Sequence, residues 1–373
     1  MKILFIDSVF YPNLYGGAQV QSWELCKRLV KRGHKVAVLT AKTDASQPDK
    51  ELIGGIDINR VDARASLFTA PFVHFTLFYL LGLFKGIELV RRERIDVIHS
   101  SFVCGFLGKS IAKITGKPCV VTVHDFYLVD VWPNLLKRNL VTGLLEMLFM
   151  LLNIIPKYDR MMPVSHGSMK WSMKSEKIRV VYNGVDTQKY VPARSESAEP
   201  RIIFIGRIIP TKHIPDLIHA FDSVKERFSN AKLLIVGTGR LFSKLKAKCE
   251  SDSIVFVGRI SEKEKISLLQ HAWLLVLPST VEGFGLVLIE ANACKKPFVC
   301  YGIPSCKEIA NMTGGGLVVE PRDVRALTQA MATLIENKRL RHELGKTGYE
   351  NVHKLFTWDK FVDRVESVYG ELV

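Results

Sequence analysis

Tyr190-Val191-Pro192-Ala193-Arg194-Ser195-Glu196-Ser197-Ala198-Glu199-Pro200 is mostly polar, carries proline near both ends and shows no periodicity. Such a stretch reads as an interdomain linker. Directly behind it stands Arg201-Ile202-Ile203-Phe204-Ile205, a compact apolar run with the length and composition of a buried strand. Ahead of the linker, short β-rich runs fall at 2–7, 35–40, 95–99, 119–123, 160–164 and 178–182, with helical patterns between most of them. The stretch 18–32 is amphipathic: Val20, Trp23, Leu25, Leu29 and Val30 share one side, and Gly33 ends it. Behind the linker the alternation restarts, with a helix over 214–228 and strands at 201–205, 232–236, 254–257, 273–277 and 297–300. Alternation of this kind means βαβ units and a parallel sheet with helices on both faces. The chain therefore reads as α/β, built from two doubly wound halves of similar size. A further amphipathic helix is expected over 359–372.

The bulk numbers agree. The chain has 373 residues, which at roughly 150 per domain suggests two or three domains. An apolar fraction of 47% and a charged fraction of 24% are ordinary globular values and exclude a disordered, collagen-like or disulfide-stapled chain. The net charge is +15, which points to an anionic partner. Most of the excess lies early: residues 1–195 hold 27 basic and 16 acidic side chains, the remainder 25 and 21. Seven cysteines without a C-x-x-C pair give no zinc spacing and read as reduced, mostly buried thiols in a cytoplasmic protein. The N-terminus reads as a short strand and not as a signal peptide. Two apolar stretches, 72–90 and 140–155, are interrupted by His74, Lys85 and Glu88 and by Glu146 and Asn153. Both are expected to fall short of a membrane-spanning helix.

Ligands of open α/β sheets bind at the carboxyl ends of the strands. Several segments stand there. Asn13-Leu14-Tyr15-Gly16-Gly17 follows the first strand and precedes a helix, so backbone N–H groups could approach an anion. Gly206-Arg207-Ile208-Ile209-Pro210-Thr211-Lys212 follows the first strand of the second half, and its two cations could clamp a diphosphate. Glu282-Gly283-Phe284-Gly285-Leu286-Val287-Leu288-Ile289-Glu290 follows a strand, turns tightly at its glycines and opens a helix. Eight positions on a helix rotate roughly 80°, so Glu282 and Glu290 could serve one extended ligand from different levels; carboxylates suit hydroxyl pairs such as those of a sugar and a ribose. Thr122-Val123-His124-Asp125 ends a buried strand, with His124 as a donor and Asp125 to orient it. Gly237-Thr238-Gly239 is one more glycine loop.

Taken together these segments resemble the family 4 retaining glycosyltransferases of the GT-B fold, nearly end to end. The resemblance is carried by Gly16-Gly17, His124-Asp125, Asn183-Gly184-Val185-Asp186, Gly206-Arg207 with Lys212, Val236-Gly237-Thr238-Gly239, the E-x7-E pair Glu282 and Glu290, and Trp358 with the helix to Tyr369. It implies two Rossmann-like domains facing across a cleft. Residues 1–190 would bind the acceptor, with a C-terminal helix at 357–373 packing back on them, and residues 191–356 would bind a UDP- or GDP-sugar. Arg207 and Lys212 would hold the diphosphate, Glu290 the ribose, and Glu282 with the backbone of Phe284, Gly285 and Leu286 the sugar and phosphates. Gly237 joins the donor site, backbone near Arg259 and Ile260 would meet the base, Gly16 and Gly17 would approach the diphosphate, and His124 a sugar hydroxyl. The family retains the α configuration, the leaving phosphate taking the acceptor's proton. No D-x-D triplet is present, so no metal and no cofactor are expected. His213 stands where the family usually has glycine, and Tyr301-Gly302-Ile303-Pro304-Ser305-Cys306-Lys307-Glu308 follows the family pattern only loosely and receives no role.

The basic, apolar first half adds a separate expectation. Stretches 68–90 and 135–155, with Arg91, Arg92, Arg94, Lys137 and Arg138 nearby, would dock peripherally on the inner face of the membrane, bringing the enzyme to a lipid-linked or membrane glycan. Two simple core helices are the competing reading. Rival functions are a nucleotide-sugar epimerase or other enzyme of the same fold, such as a glycosyl phosphorylase, for which no pyridoxal-phosphate lysine motif is evident. A nicotinamide dehydrogenase would need G-x-G-x-x-G after the first strand, and only Gly16-Gly17 is there. A nucleic-acid binder rests on charge alone, without a recognised module.

Overall fold

β1 (Lys2–Ile6) is buried over nearly its whole length, as a strand must be when helices cover both faces of its sheet. Its side chains alternate: Leu4 and Ile6 enter one apolar core, Ile3 and Phe5 the other. A computed structural model describes residues 1–12, 16–64, 71–124, 153, 157–169 and 176–373. It divides into two units. The first comprises Met1–Val164, Ser168–Tyr182 and Trp358–Val373, and the second Ser165–Gly167 and Asn183–Thr357.

The first unit holds seven strands: β1, β2 (Lys35–Ala41), β3 (Lys50–Ile53), β4 (Ile56–Val61), β5 (Val97–Ser101), β6 (Cys119–Val123) and β7 (Arg160–Pro163). Their order is β3-β4-β2-β1-β5-β6-β7, parallel throughout except for antiparallel β3. Setting β3 aside, this is the doubly wound order 3-2-1-4-5-6. α1 (Gly17–Lys31) covers one face through Leu25, Cys26 and Leu29. α2 (Pro71–Glu93) and α3 (Gly105–Thr115) cover the other through Phe78, Leu89, Leu107 and Ile111.

Residues 65–70, 125–152, 154–156 and 170–175 lie outside the described residues, and so do most of the apolar stretch 135–155, Lys137, Arg138 and the early part of 68–90. The expectation that 72–90 falls short of a membrane span is corrected. Val73–Glu93 is long and apolar enough to cross one, because its early charges are few. Its inner face packs on the first core, whereas Val73, Leu77, Leu80, Leu81 and Phe84 are exposed.

The second unit holds β8 (Arg201–Ile205), β9 (Lys232–Val236), β10 (Ile254–Gly258), β11 (Leu274–Leu277), β12 (Phe298–Tyr301) and β13 (Gly316–Val319). All pair in parallel, in the order β10-β9-β8-β11-β12-β13, again 3-2-1-4-5-6. Between and after them run α4 (Ile214–Arg227), α5 (Phe242–Cys249), α6 (Glu262–His271), α7 (Leu286–Ala293), α8 (Pro304–Thr313), α9 (Val324–Glu336) and α10 (Lys338–Leu355). The polar stretch 190–200 is fastened along this unit. Tyr190 is buried, Trp273 Nε1 donates to Ser197 O at 2.9 Å, and Glu196 accepts from Lys296 at 3.3 Å and Arg341 at 3.2 Å.

α11 (Trp358–Gly370) belongs to the first unit, where Trp358, Phe361, Val362, Val365, Val368 and Tyr369 join the core beneath β1 and α1. Burial of such side chains contributes roughly 1.5–3 kcal/mol each. Buried His99 on β5 fixes its position further, sharing hydrogen bonds with Tyr369 Oη at 2.6 Å and Thr122 Oγ1 at 2.7 Å. β3, β4 and β13 have no counterpart in the sequence reading. The predicted strand at 178–182 forms only a bridge from Ile178 to Met161, although Arg179 and Val181 donate to β7 carbonyls at 2.9 Å.

Candidate functional site

In the second sheet the order reverses between β8 and β11, so the loops that follow these strands flank the crevice where open α/β sheets bind ligands. The first loop, 206–212, is held at its start by backbone hydrogen bonds. Gly206 N–H donates to Val236 O at 3.0 Å, Ile208 N–H to Thr238 O at 2.9 Å, and Gly237 N–H to Gly258 O at 2.8 Å. Gly237 lies at φ 128°, and a Cβ there would fall 2.0 Å from Gly206 O. Only glycine allows this approach. The second loop, 278–285, is joined to the first: Thr280 N–H donates to Thr211 O at 3.0 Å, and His213 Nε2 shares a hydrogen bond with Thr280 Oγ1 at 3.1 Å. His213 adopts φ 46°, a left-handed conformation that explains why glycine suits this position. Burial lowers the pKa of its ring, and Arg322 adds to the effect.

These loops bring Lys212 and Glu282 together in an ion pair, both side chains largely buried. Arg207 is exposed and makes no hydrogen bond or ion pair among the described residues. Gly285, at φ 83°, turns the chain into α7 and leaves Leu286 as its first residue. Phe284 is buried edge-on against Phe356, so only its backbone could face a ligand. On α7, Glu290 Oε1 accepts from Lys265 Nζ at 2.8 Å and from Tyr190 Oη at 3.2 Å. Its Oε2 has no hydrogen bond among the described residues and remains an acceptor for an incoming hydroxyl. Arg259 is exposed and Ile260 half-buried just beyond β10. Of the predicted residues of the second unit, Lys212 and Glu282 are brought together as a pair, Glu290 lies on α7 in a separate cluster with Lys265 and Tyr190, and Arg207, Gly237, Arg259 and Ile260 stand just beyond β8, β9 and β10.

The first unit carries the rest. Gly16 precedes α1 with extended backbone, and Gly17 begins it; no side chain caps the helix. A Cβ on Gly16 would meet only Gln19 Oε1 at 3.7 Å, so glycine is not sterically demanded there. His124 stands half-buried after β6, its Nε2 without a partner among the described residues. Burial lowers its pKa to about 4, so the ring is neutral at ordinary pH. Asn13, Leu14, Tyr15 and Asp125 lie outside the described residues.

The sequence reading missed Asp7, which ends just beyond β1, beside the β1–β5 reversal. It is buried, accepts from Ser22 Oγ at 3.1 Å, and burial raises its carboxyl to about 6. It also missed Tyr190 and Lys265, far from Glu290 in sequence and without motif. An apolar setting around Glu290 was the available hint that partners existed. Among the described residues no group of three or more His, Cys, Asp or Glu could hold a metal ion.

Comparison with known proteins gives two family matches that meet near residue 188. Residues 15–189 match Glycosyltransferase Family 4, and residues 187–351 match Glycosyl transferases group 1. An uncharacterized glycosyltransferase of Methanocaldococcus jannaschii is 29% identical, covering 100% of this chain and 99% of its own length. Among solved structures, sucrose-phosphate synthase from Thermosynechococcus elongatus superposes with a TM-score of 0.83 at 22% identity, over 100% of this chain and 98% of that one. Anabaena HepE, solved in complex with UDP-glucose, gives 0.77 at 18% identity, over all of both chains.

Proposed function

The chain belongs to the glycosyltransferases of group 1 and family 4, with the GT-B fold, and we propose that it moves a sugar from a UDP- or GDP-sugar to a hydroxyl acceptor with retention of the α configuration. In this reading Arg207 and Lys212 hold the diphosphate and neutralise the charge that grows as it departs, without a metal. Glu290 receives the ribose hydroxyls on Oε2. Glu282, Gly237 and the backbone of Phe284, Gly285 and Leu286 take the sugar and phosphates, with the base beside Arg259 and Ile260. In the first unit, Gly16 and Gly17 offer backbone N–H groups ahead of α1, and His124 offers a neutral hydrogen-bonding ring. The departing phosphate takes the acceptor proton.

The single observation that carries the donor assignment is the pairing of Lys212 with Glu282 on the two loops at the sheet's reversal point, with Arg207 exposed on the first of them. HepE, solved with UDP-glucose, supports the donor class. A thermal-shift panel of UDP, GDP and their sugars tests it, since a bound donor raises the melting point by mass action. A rise with one diphosphate series is expected, and no rise with any of them counts against the reading. Incubation with the sugar nucleotide alone separates transfer from epimerisation, which would alter the sugar without an acceptor.

For the acceptor, the exposed stripe Val73, Leu77, Leu80, Leu81 and Phe84 on α2, close to exposed Arg91, Arg92 and Arg94, favours a lipid-linked or membrane glycan reached by peripheral docking from the cytoplasm. Flotation with anionic vesicles at low salt should carry the protein upward. Protein left in the soluble fraction argues against docking.

A further inference from the structure

α8 presents Ser305 and Glu308 three positions apart, hence on one helical face. The two reach different targets. Ser305 Oγ donates to the carbonyl of Glu282 at 2.7 Å. The Glu308 carboxylate accepts from His166 N–H at 3.1 Å and Gly167 N–H at 2.9 Å. That grip seats the short Ser165–Gly167 segment in the second unit. Gly167 is pressed so close to α8 that a Cβ would lie 2.2 Å from Ser305 N. Ser165 Oγ then donates to the carbonyl of Gly283 at 2.6 Å. Both serines are buried, at 0% and 1% exposure, so neither hydroxyl has water as an alternative partner.

Two successive carbonyls of the glycine loop are therefore tied from behind. A trans peptide is planar, with C=O and N–H pointing in opposite directions. Fixing the carbonyls of Glu282 and Gly283 toward the serines turns the N–H groups of Gly283 and Phe284 the other way. The N–H groups of Gly283 and Gly285 have no partner among the described residues. We infer that Ser165, Ser305 and Glu308 are positioning residues that aim this loop's N–H groups at the distal phosphate and sugar of the donor. The inference rests on the donor reading above and gives a role to the 301–308 segment, which the sequence left without one.

The test compares Ser165→Ala and Ser305→Ala with the wild type, by calorimetric titration with UDP, GDP, UMP and GMP. Each variant should bind the diphosphate about five- to tenfold more weakly and the matching monophosphate unchanged. Ser165→Thr, which restores a hydroxyl, should recover the diphosphate. Equal losses for both nucleotides, or none, overturn the inference, since a merely structural role predicts no such split. Amide exchange on ligand-free protein gives an independent arm. Thr280 and Leu288 N–H groups bracket the loop and are hydrogen-bonded, to Thr211 O at 3.0 Å and Gly285 O at 2.9 Å. Both should exchange faster in either alanine variant, and unchanged exchange overturns the inference. A wild type that binds neither UDP nor GDP overturns the donor reading and, with it, the claim that the loop is aimed at a donor; the exchange arm still reports whether the serines hold the loop.

Discussion

Lys212 and Glu282, seventy positions apart, form an ion pair that joins the loop after β8 to the loop after β11. Each side chain is the other's charge partner in a setting that solvent reaches poorly. The cation that would meet a diphosphate is thus pre-placed by the carboxylate that would meet the sugar. Removing one member strands the other. Lys212→Ala should therefore lower stability by about 1–3 kcal/mol as well as reduce transfer. Lys212→Ala combined with Glu282→Gln should recover much of the stability and none of the transfer. Urea denaturation and a transfer assay on the wild type and both variants check this, and full stability in Lys212→Ala would refute it.

Arg207 offers the contrasting case. It is exposed and unpartnered among the described residues. Its replacement by alanine should change stability by less than about 0.5 kcal/mol. Transfer should fall by roughly 10²–10³-fold, the usual cost of losing one preorganised group facing developing charge. A fully active Arg207→Ala enzyme would remove this residue from the mechanism.

Glu290 has one oxygen engaged by Lys265 and Tyr190, and the other without a hydrogen bond among the described residues. Glu290→Gln should weaken binding of UDP or GDP roughly tenfold or more, because hydrogen bonds to charged groups contribute about 1.5–3 kcal/mol. Tyr190→Phe, which keeps the carboxylate and removes one supporting donor, should cost stability with a much smaller loss of affinity. Calorimetry on both variants distinguishes the roles; equal affinity losses would contradict them.

Asp7 sets a pH dependence. Burial raises its carboxyl to about 6, from 3.8 when unfolded. Between these values the folded state holds more protons, so stability is full below about pH 4 and declines as pH rises through 6. Two units correspond to about 3 kcal/mol. Asp7→Asn should lack this decline and exceed the wild type in stability at pH 8. Denaturation midpoints at pH 4.5 and pH 8 decide the matter: a wild type that gains on the variant across that interval would overturn it.

Much of this arrangement was legible beforehand because it is written locally. β1, β2, β8 and β9 are short continuous apolar runs, and parallel burial leaves little else they could be. The glycines at 206, 237 and 285 mark loops at strand ends, and two of them sit at positive φ with close neighbours. Edge strands were harder. β3, Lys50–Ile53, alternates exposed and half-buried positions and pairs, among the described residues, only with β4, so its pattern is weak. Partners of the site were harder still. Tyr190, Ser165, Ser305 and Glu308 act through contacts 20 to more than 100 residues away in sequence. Nothing in their own neighbourhoods announces them, since a buried hydroxyl's destination is set by topology and not by spacing.

α11 has one more implication. The ribosome delivers residues 1–182 long before Trp358, Phe361 and Val362 exist, yet these complete the apolar layer beneath Ile3 and Phe5. During synthesis that layer lacks these side chains until the final helix has been made. The first unit is therefore completed by the last residues of this sequence to be made, and its core is closed by its two ends in sequence.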